Sequence, residues 1–324
     1  MDVKIIYIVW ASPKTRAMEL SKRFHAKLFG LLISRSIPAI FRYFIFFIKT
    51  CLILIREKPD YVIIQVPPIF ISFPVYLYNL INGSKYIIDV HSGELVDYKW
   101  KPFKVIRKFF FKHAYWLLFH NEHNYKLSEK LYPNCRNIIL NDPIPIPHNV
   151  KALKKCGKYK NIVFISAFDT NEPFDECIKA GEILLKEEDD WKLTFTGDSS
   201  SIKKYYENHK NIEFTGFVSY KKYWAILKGA DVIVSLNKRD GVVTCGLWEG
   251  VSLNKPVVTN DYDVIKKIFK NSVVVSGNDS ISIAKAIKKA YFNTHKYSDR
   301  IRKRKEIIDR KWMKNFLIIR DSLV

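Results

Sequence analysis

The chain has 324 residues, 48% hydrophobic and 27% charged, which supplies ample apolar mass for a core and argues against a disordered polymer. Its formal net charge of +22 calls for an anionic partner and is no detachable tail, since residues 1–150 carry 21 Lys and Arg against 10 Asp and Glu and the remainder 33 against 22. Cys51, Cys135, Cys156, Cys177 and Cys245 are scattered without a C-x-x-C pair, which argues against a disulfide framework or a zinc ribbon and suits a reducing cytosol.

The N-terminal "MDVKIIYIVW" holds an apolar run that predicts a first strand and is too short for the core of an export signal. "FRYFIFFIKTCLILI" predicts an apolar helix on which Arg42, Lys49 and Arg56, seven apart, fall within about 40° of one another. From Tyr61 to Ser84 no residue is charged, long enough to span a bilayer, but Pro67, Pro68 and Pro74 interrupt it. A buried strand "YVIIQV", a "PP" loop and an apolar helix ending at "NLINGS" fit better. "KYIIDV", "YWLLFH" and "NIIL" continue the strand pattern. The prolines of "NDPIPIPHNVKALKKCGKYK" then predict a linker near residues 142–158.

Beyond it come "NIVFIS", "KLTFTG", "IEFTG", "DVIVSL", "PVVTN" and "SVVVSG", and finally a basic amphipathic helix, "RKRKEIIDRKWMKNFLIIRDSLV". Short Val- and Ile-rich runs separated by helix-length segments indicate parallel strands buried on both faces, hence an α/β, doubly wound fold. The repetition predicts two such domains, 1–148 and 149–324, facing a cleft, with the last helix (about 305–324) crossing back to the first domain.

The densest chemistry lies in "NKRDGVVTCGLWEGVSLNKPVV", which follows the strand "DVIVSL". Ligands of parallel sheets gather at the carboxyl ends of strands, and a helix starting near Gly246 would present unpaired N–H groups and a positive dipole end to an anion. Thr244 adds a hydroxyl, and Glu249, one turn in, offers a carboxylate to vicinal hydroxyls such as those of a ribose. The combination describes a nucleotide, although a glycine and a glutamate near a helix start also occur for capping alone.

The order "NIEFTGFVS", "YWAILKGADVIVSL", "GLWEGVSLNKPVVTND" resembles the carboxyl-terminal domain of the retaining glycosyltransferases of the family-four type, which have the GT-B fold. "KPDYVIIQVPP" and "KYIIDVHSG" are similar to strands of that family's acceptor domain. The resemblance implies that Glu249 is the second glutamate of an E-x7-E motif and holds the donor ribose. The backbone after Gly216, at Phe217 and Val218, would meet the base, and Thr244, Cys245 and Gly246 the diphosphate and sugar, with Ser166 completing the donor set. His91 would lie near the transferred sugar. The sequence departs from the family where the first glutamate should stand, at Gly241, so that Asp240 or Arg239 inherits its work. "FISAFDTNEPF" lacks the usual phosphate-binding Arg and Lys, and "WASPKTRAMEL" replaces a glycine-rich loop, leaving Arg16 and Ser12 as acceptor contacts.

For the positive charge, "KWKPFKVIRKFFFKHAYW" interleaves lysines with aromatics, as the interface of an anionic bilayer requires. Single-stranded nucleic acid would use similar residues, but no recognition module is present. The expectation is therefore a hexosyltransferase using a UDP- or GDP-sugar and a lipid-linked or surface-glycan acceptor, peripheral on the cytoplasmic membrane face. The alternative is a non-catalytic GT-B subunit. No cofactor and no metal are expected: "DYD" at Asp261 to Asp263 imitates a metal-binding D-x-D, but its aspartates suit capping of the helix "VIKKIF".

Overall fold

The structure is a computed structural model and describes residues 3–34, 36–147, 150–153, 159–200 and 211–323. Cys156 and part of the expected linker lie outside the described residues. The chain forms two compact units, Met1–Pro143 with Arg310–Val324, and Ile144–Asp309. The division thus falls at 143/144 rather than 148/149, and a second division falls within the last helix.

Unit 1 runs β1 (Ile5–Val9), α1 (Thr15–Arg23), β2 (Lys27–Gly30), α2 (Ala39–Glu57), β3 (Tyr61–Val66), α3 (Ser72–Asn82), β4 (Lys85–Val90), α4 (Ser92–Val96), α5 (Lys104–His113), β5 (Trp116–Phe119), α6 (Glu122–Leu131) and β6 (Asn137–Ile139). Its strands form one parallel sheet in the order β2-β1-β3-β4-β5-β6. β3 and β4 are almost wholly buried because helices cover both faces, which is why they read as unbroken apolar runs. β2 is an addition to the expected strands. At the sheet edge only one neighbour covers it, so "KLFG" is half exposed and lacks the apolar signature.

Unit 2 runs β7 (Lys160–Ile165), α7 (Phe174–Glu187), β8 (Trp191–Thr196), β9 (Ile212–Phe214), α8 (Tyr220–Gly229), β10 (Val232–Val234), α9 (Cys245–Ser252), β11 (Val257–Asn260), α10 (Asp263–Phe269), β12 (Val274–Ser276), α11 (Ser280–Phe292) and α12 (Thr294–Asp321). The second parallel sheet has the order β12-β11-β10-β7-β8-β9, so the strand order reverses between β7 and β10. The expected doubly wound α/β architecture with two sheets is therefore present. Along α12, Ile301 and Ile308 join the core of unit 2, whereas Trp312, Phe316 and Ile319 pack into that of unit 1, where Trp312 Nε1 donates to Asn141 O at 2.8 Å.

The helix expected after "PP" is α3, entered through a 3-10 turn at Ile69–Ile71 and closed by Gly83, whose φ of 70° accepts the left-handed exit. Among the described residues no helix is long and apolar enough to cross a membrane.

Candidate functional site

In unit 2 Ser166, Thr244 and Gly246 lie where the strand order reverses, whereas Gly216, Phe217 and Val218 follow the edge strand β9. β7 ends at Ile165 and β10 at Val234; Thr244 caps α9, its Oγ1 accepting from Leu247 N at 3.3 Å and lying 2.8 Å from Ser235 Oγ. Gly246 is where β7, β10 and α9 meet: a Cβ there would come within 2.6 Å of Ser235 Oγ and 3.0 Å of the Ile165 side chain. The absence of a side chain lets the first turn of α9 seat against the strand ends, which aims its amides at the sheet edge. Cys245, beside it, is exposed.

Glu249 is 5% exposed, and the Tyr223 hydroxyl of α8 donates to its Oε2 at 2.5 Å. Burial and that carboxylate together push the Tyr223 phenol well above its ordinary value. Glu249 therefore meets the protein interior, a contact the sequence reading did not foresee. Gly216, bridged to Gly197, has a φ of 63°, and Phe217 after it is 86% exposed, with Val218 half-buried.

Arg239 and Asp240 are exposed in the β10–α9 loop, where Arg239 N bonds Asn237 Oδ1 at 2.8 Å and Asp240 Oδ1 takes Gly241 N at 2.6 Å. Gly241 has a φ of 78°. A glutamate there would be strained, so this loop is built differently from one carrying the missing acid.

Ser166 meets Glu172, not open space: its hydroxyl and the amides of Ala167 and Phe168 all converge on Glu172 Oε2 at 2.5, 2.8 and 3.0 Å. A resident carboxylate thus occupies the donors at the end of β7, where the family's phosphate-binding cations are missing. The capping role expected of the "DYD" aspartates is corrected. Tyr262 is the N-cap of α10 and no side chain bonds the cap, while Asp261 pairs with Lys266 at 2.6 Å. The long lysine reaches the carboxylate more readily than the backbone does.

In unit 1 the ends of β1, β4 and β5 bring together a charged cluster. Asp89, the single acid within "YIIDV", is fully buried; Arg16 Nη2 reaches its Oδ1 at 2.7 Å, Arg16 Nε its Oδ2 at 3.0 Å, and the Tyr7 hydroxyl its Oδ2 at 2.7 Å. Arg16 Nη1 donates to Asp142 Oδ1 at 2.7 Å. With Arg16 3% exposed and its fork spent on two carboxylates, it is unavailable as an acceptor contact, and that assignment is corrected. Ser12 lies exposed in the loop after β1.

His91 follows β4 and caps α4, half-buried, its Nε2 3.4 Å from Asp89 Oδ2 without hydrogen-bond alignment. Its ring meets that of His120 edge-on at 4.3 Å, and His120 Nδ1 lies 3.2 Å from Asp142 Oδ1. Burial would raise the Asp89 carboxyl, but the Arg16 guanidinium, aided by the histidines, outweighs it and holds the group well below the usual range. Asp142 goes to about 2, because burial is outweighed there by His120 and Arg16. Burial, then Arg16 and His91, lowers the His120 imidazole to about 4, so it is neutral at pH 7.

Donor atoms of Asp89, His91 and His120 lie within 4.8 Å of one another. They suit a metal poorly: Asp89 is already bonded by a guanidinium and a phenol, and a cation would sit against Arg16. The cluster instead fixes the half-exposed His91 beside a carboxylate.

A pH prediction follows from His120. Between its ordinary value near 6.5 and about 4 the unfolded chain takes up a proton that the native ring refuses, so stability falls on acidification, by up to about 3 kcal/mol. Glu94, raised to about 7 by burial against the pull of Arg107, contributes the opposite slope, so the quantity to measure is the difference between wild type and His120→Asn. Urea melts across that range should show wild type losing stability relative to the variant; parallel curves would contradict a buried neutral His120.

No curated protein matches the sequence. Among solved structures the chain is similar to sucrose-phosphate synthase from Thermosynechococcus elongatus, with 10% identity, a TM-score of 0.73, and coverage of 99% of this chain and 97% of that one. It is also similar to Anabaena HepE in complex with UDP and glucose, at 11% identity and a TM-score of 0.70 over 99% of both chains. A glycosyltransferase from Rickettsia africae matches at 12% identity and a TM-score of 0.69, over 100% of this chain and 99% of that one. At such identities these likenesses establish the fold alone, two parallel α/β sheets of the GT-B type. The sequence pattern described as Glycosyl transferases group 1 matches residues 146–307, half of the chain and the part that holds α9 and its surroundings, and the protein belongs to that glycosyltransferase family.

Proposed function

We propose that this glycosyltransferase moves a hexosyl unit from a UDP- or GDP-sugar to a lipid-linked or surface-glycan acceptor at the cytoplasmic face of a membrane, with retention at the anomeric carbon. The observation that carries the donor side is the α9 N-terminus at the reversal point of the second sheet, with Thr244 at its cap and Glu249 one turn inside. Its amides and Thr244, with Arg239 in the preceding loop, bind the diphosphate and stabilise the charge that develops as the anomeric C–O bond breaks toward phosphate. Glu249 accepts from the ribose hydroxyls, and the exposed Phe217 with Val218 borders the base. The Glu172 carboxylate leaves no site for phosphate at the end of β7, which makes α9 the principal anion site. HepE, whose structure holds UDP and glucose, makes UDP the first nucleotide to test.

Unit 1 is the acceptor unit, with His91 as the exposed member of its cluster and Ser12 on the adjacent loop. No metal is required, because the helix end already supplies positive charge to the diphosphate.

The experiment is a panel of UDP- and GDP-sugars, followed by thermal shift and by nucleotide release, with and without EDTA. One donor class should raise the melting midpoint and be turned over equally in chelator. Silence across the panel would remove the donor assignment, and activity lost in EDTA and restored by manganese would remove the metal-free mechanism.

A further inference from the structure

The aromatic residues expected to meet headgroups in the α5 region are mostly core. Trp100, Phe110 and Phe111 are buried, and Arg107 is buried against Glu94, whose Oε1 accepts from its Nε at 2.7 Å. The exposed apolar surface lies elsewhere. On α2, Phe41, Phe44, Ile48, Leu52 and Ile55 face solvent at three- to four-residue spacing, Leu52 being 61% exposed. On α3, which packs along α2, Leu77, Leu80 and Ile81 do the same, Ile81 being 81% exposed.

α5 continues this layer through Phe73 and Phe110, whose ring centroids are 4.7 Å apart, and through Tyr76 and Phe109 at 5.1 Å. Single exposed leucines are ordinary on a soluble surface, but a face of this extent on adjoining helices marks a docking surface.

Charge selects the occupant. Across α2, α3 and α5 the only acidic residue is Glu57, and it is buried, paired with Lys27 at 2.7 Å. Lys49 and Arg56 of α2 are exposed on one flank, and Lys104, Lys108 and Lys112 of α5 are exposed at four-residue spacing. An apolar face bordered by cations and free of exposed carboxylates matches the acyl boundary and phosphates of an anionic leaflet. A second copy of the same face would set like charges against each other.

We infer that the α2–α3 face inserts into an anionic phospholipid bilayer, with the lysines of α5 and the cations of α2 on the headgroup phosphates. This deepens the reading of a membrane-facing enzyme, on which it rests, by naming the surface and its partner.

The test is co-sedimentation of the full chain with vesicles of phosphatidylcholine alone and of an equimolar mixture with phosphatidylglycerol. Wild type should partition to the mixed vesicles. Combined Phe44→Ser, Leu52→Ser, Leu77→Ser and Leu80→Ser should lower partition by about a hundredfold or more while the chain stays folded, its melting midpoint lowered only by the lost helix propensity and residual packing of four largely exposed side chains. Lys104→Gln with Lys108→Gln and Lys112→Gln should remove much of the preference for the mixed vesicles. Equal binding by the serine variant would overturn the inference, as would failure of wild type to bind either vesicle. So would a lipid-free dimer of wild type that the serine variant dissolves, since it would assign the face to a second copy. Nucleotide-sugar hydrolysis by the same preparations separates the two readings. Vesicle binding without hydrolysis leaves the docking face standing and sinks the enzyme's donor assignment, whereas hydrolysis without vesicle binding does the reverse.

Discussion

Arg16→Met is expected to destabilise unit 1 by about 3–5 kcal/mol, the usual cost of leaving a buried charge without its partner. Its guanidinium is the cation that bonds both Asp89 and Asp142, and both are buried, Asp89 completely. Chemical denaturation should show the loss, with a melting midpoint lower by on the order of 10 °C for a unit of this size. Adding Asp89→Asn and Asp142→Asn to the same chain should recover part of it, because the uncompensated charges are then gone. A variant within about 1 kcal/mol of wild type would show that the cluster is hydrated or that the pairs contribute nothing. The double role of Asp89 extends the argument to chemistry. Whatever releases Asp89 from Arg16 also frees the carboxylate beside His91, so variants that retain fold should still shift the pH dependence of transfer.

Glu249→Ala should weaken nucleoside diphosphate binding by about a hundredfold, the equivalent of losing one or two hydrogen bonds to a charged acceptor. It is not expected to be structurally silent, because the Tyr223 hydroxyl donates to Oε2 and would be left buried without that partner, at a cost of about 1–3 kcal/mol. Two further variants divide these effects. Glu249→Gln keeps an acceptor for Tyr223 while removing the charge, so it should retain stability and still lose affinity. Tyr223→Phe removes the internal hydrogen bond alone. Calorimetric titration with UDP and GDP reads the outcome. Unchanged affinity in a folded Glu249→Gln would take this residue out of the donor site and restrict it to holding α8 against α9.

The local geometry around α9 in unit 2 was legible in the sequence, because its determinants are local. A helix capped by Thr244 after the strand "DVIVSL" leaves its first amides unpaired within the helix, and the positions of Gly246 and Glu249 near its start follow from helix geometry. Tyr223 was not legible, since it stands 26 residues before Glu249 and meets it only when α8 and α9 pack. Nor was the occupation of the β7 end by Glu172, which depends on the turn that folds residues 166–172 back on themselves. The charged cluster of unit 1 was read less well. Arg16 in "WASPKTRAMEL" resembled a surface contact until Asp89 and Asp142, 73 and 126 residues away, were brought to it. One signal was present: a lone aspartate inside an apolar strand must find a cation, and a buried one at that.

The sequence by itself determined the α/β class, nearly every strand, the doubling of the sheet and the helix that begins after Thr244. These follow from periodicity and from local backbone chemistry, which neighbours in the chain decide. The tertiary structure alone decided which apolar surfaces are core and which are left open. α2, apart from its stripe of Arg42, Lys49 and Arg56, and α3 read as apolar, but a helix in a single layer over a sheet can bury only one side, so the opposite faces, with Leu52 and Ile81, remain exposed. It also decided which charges are partners, because ion pairs across strand ends are set by sheet order, and sheet order is a long-range choice that no local pattern encodes.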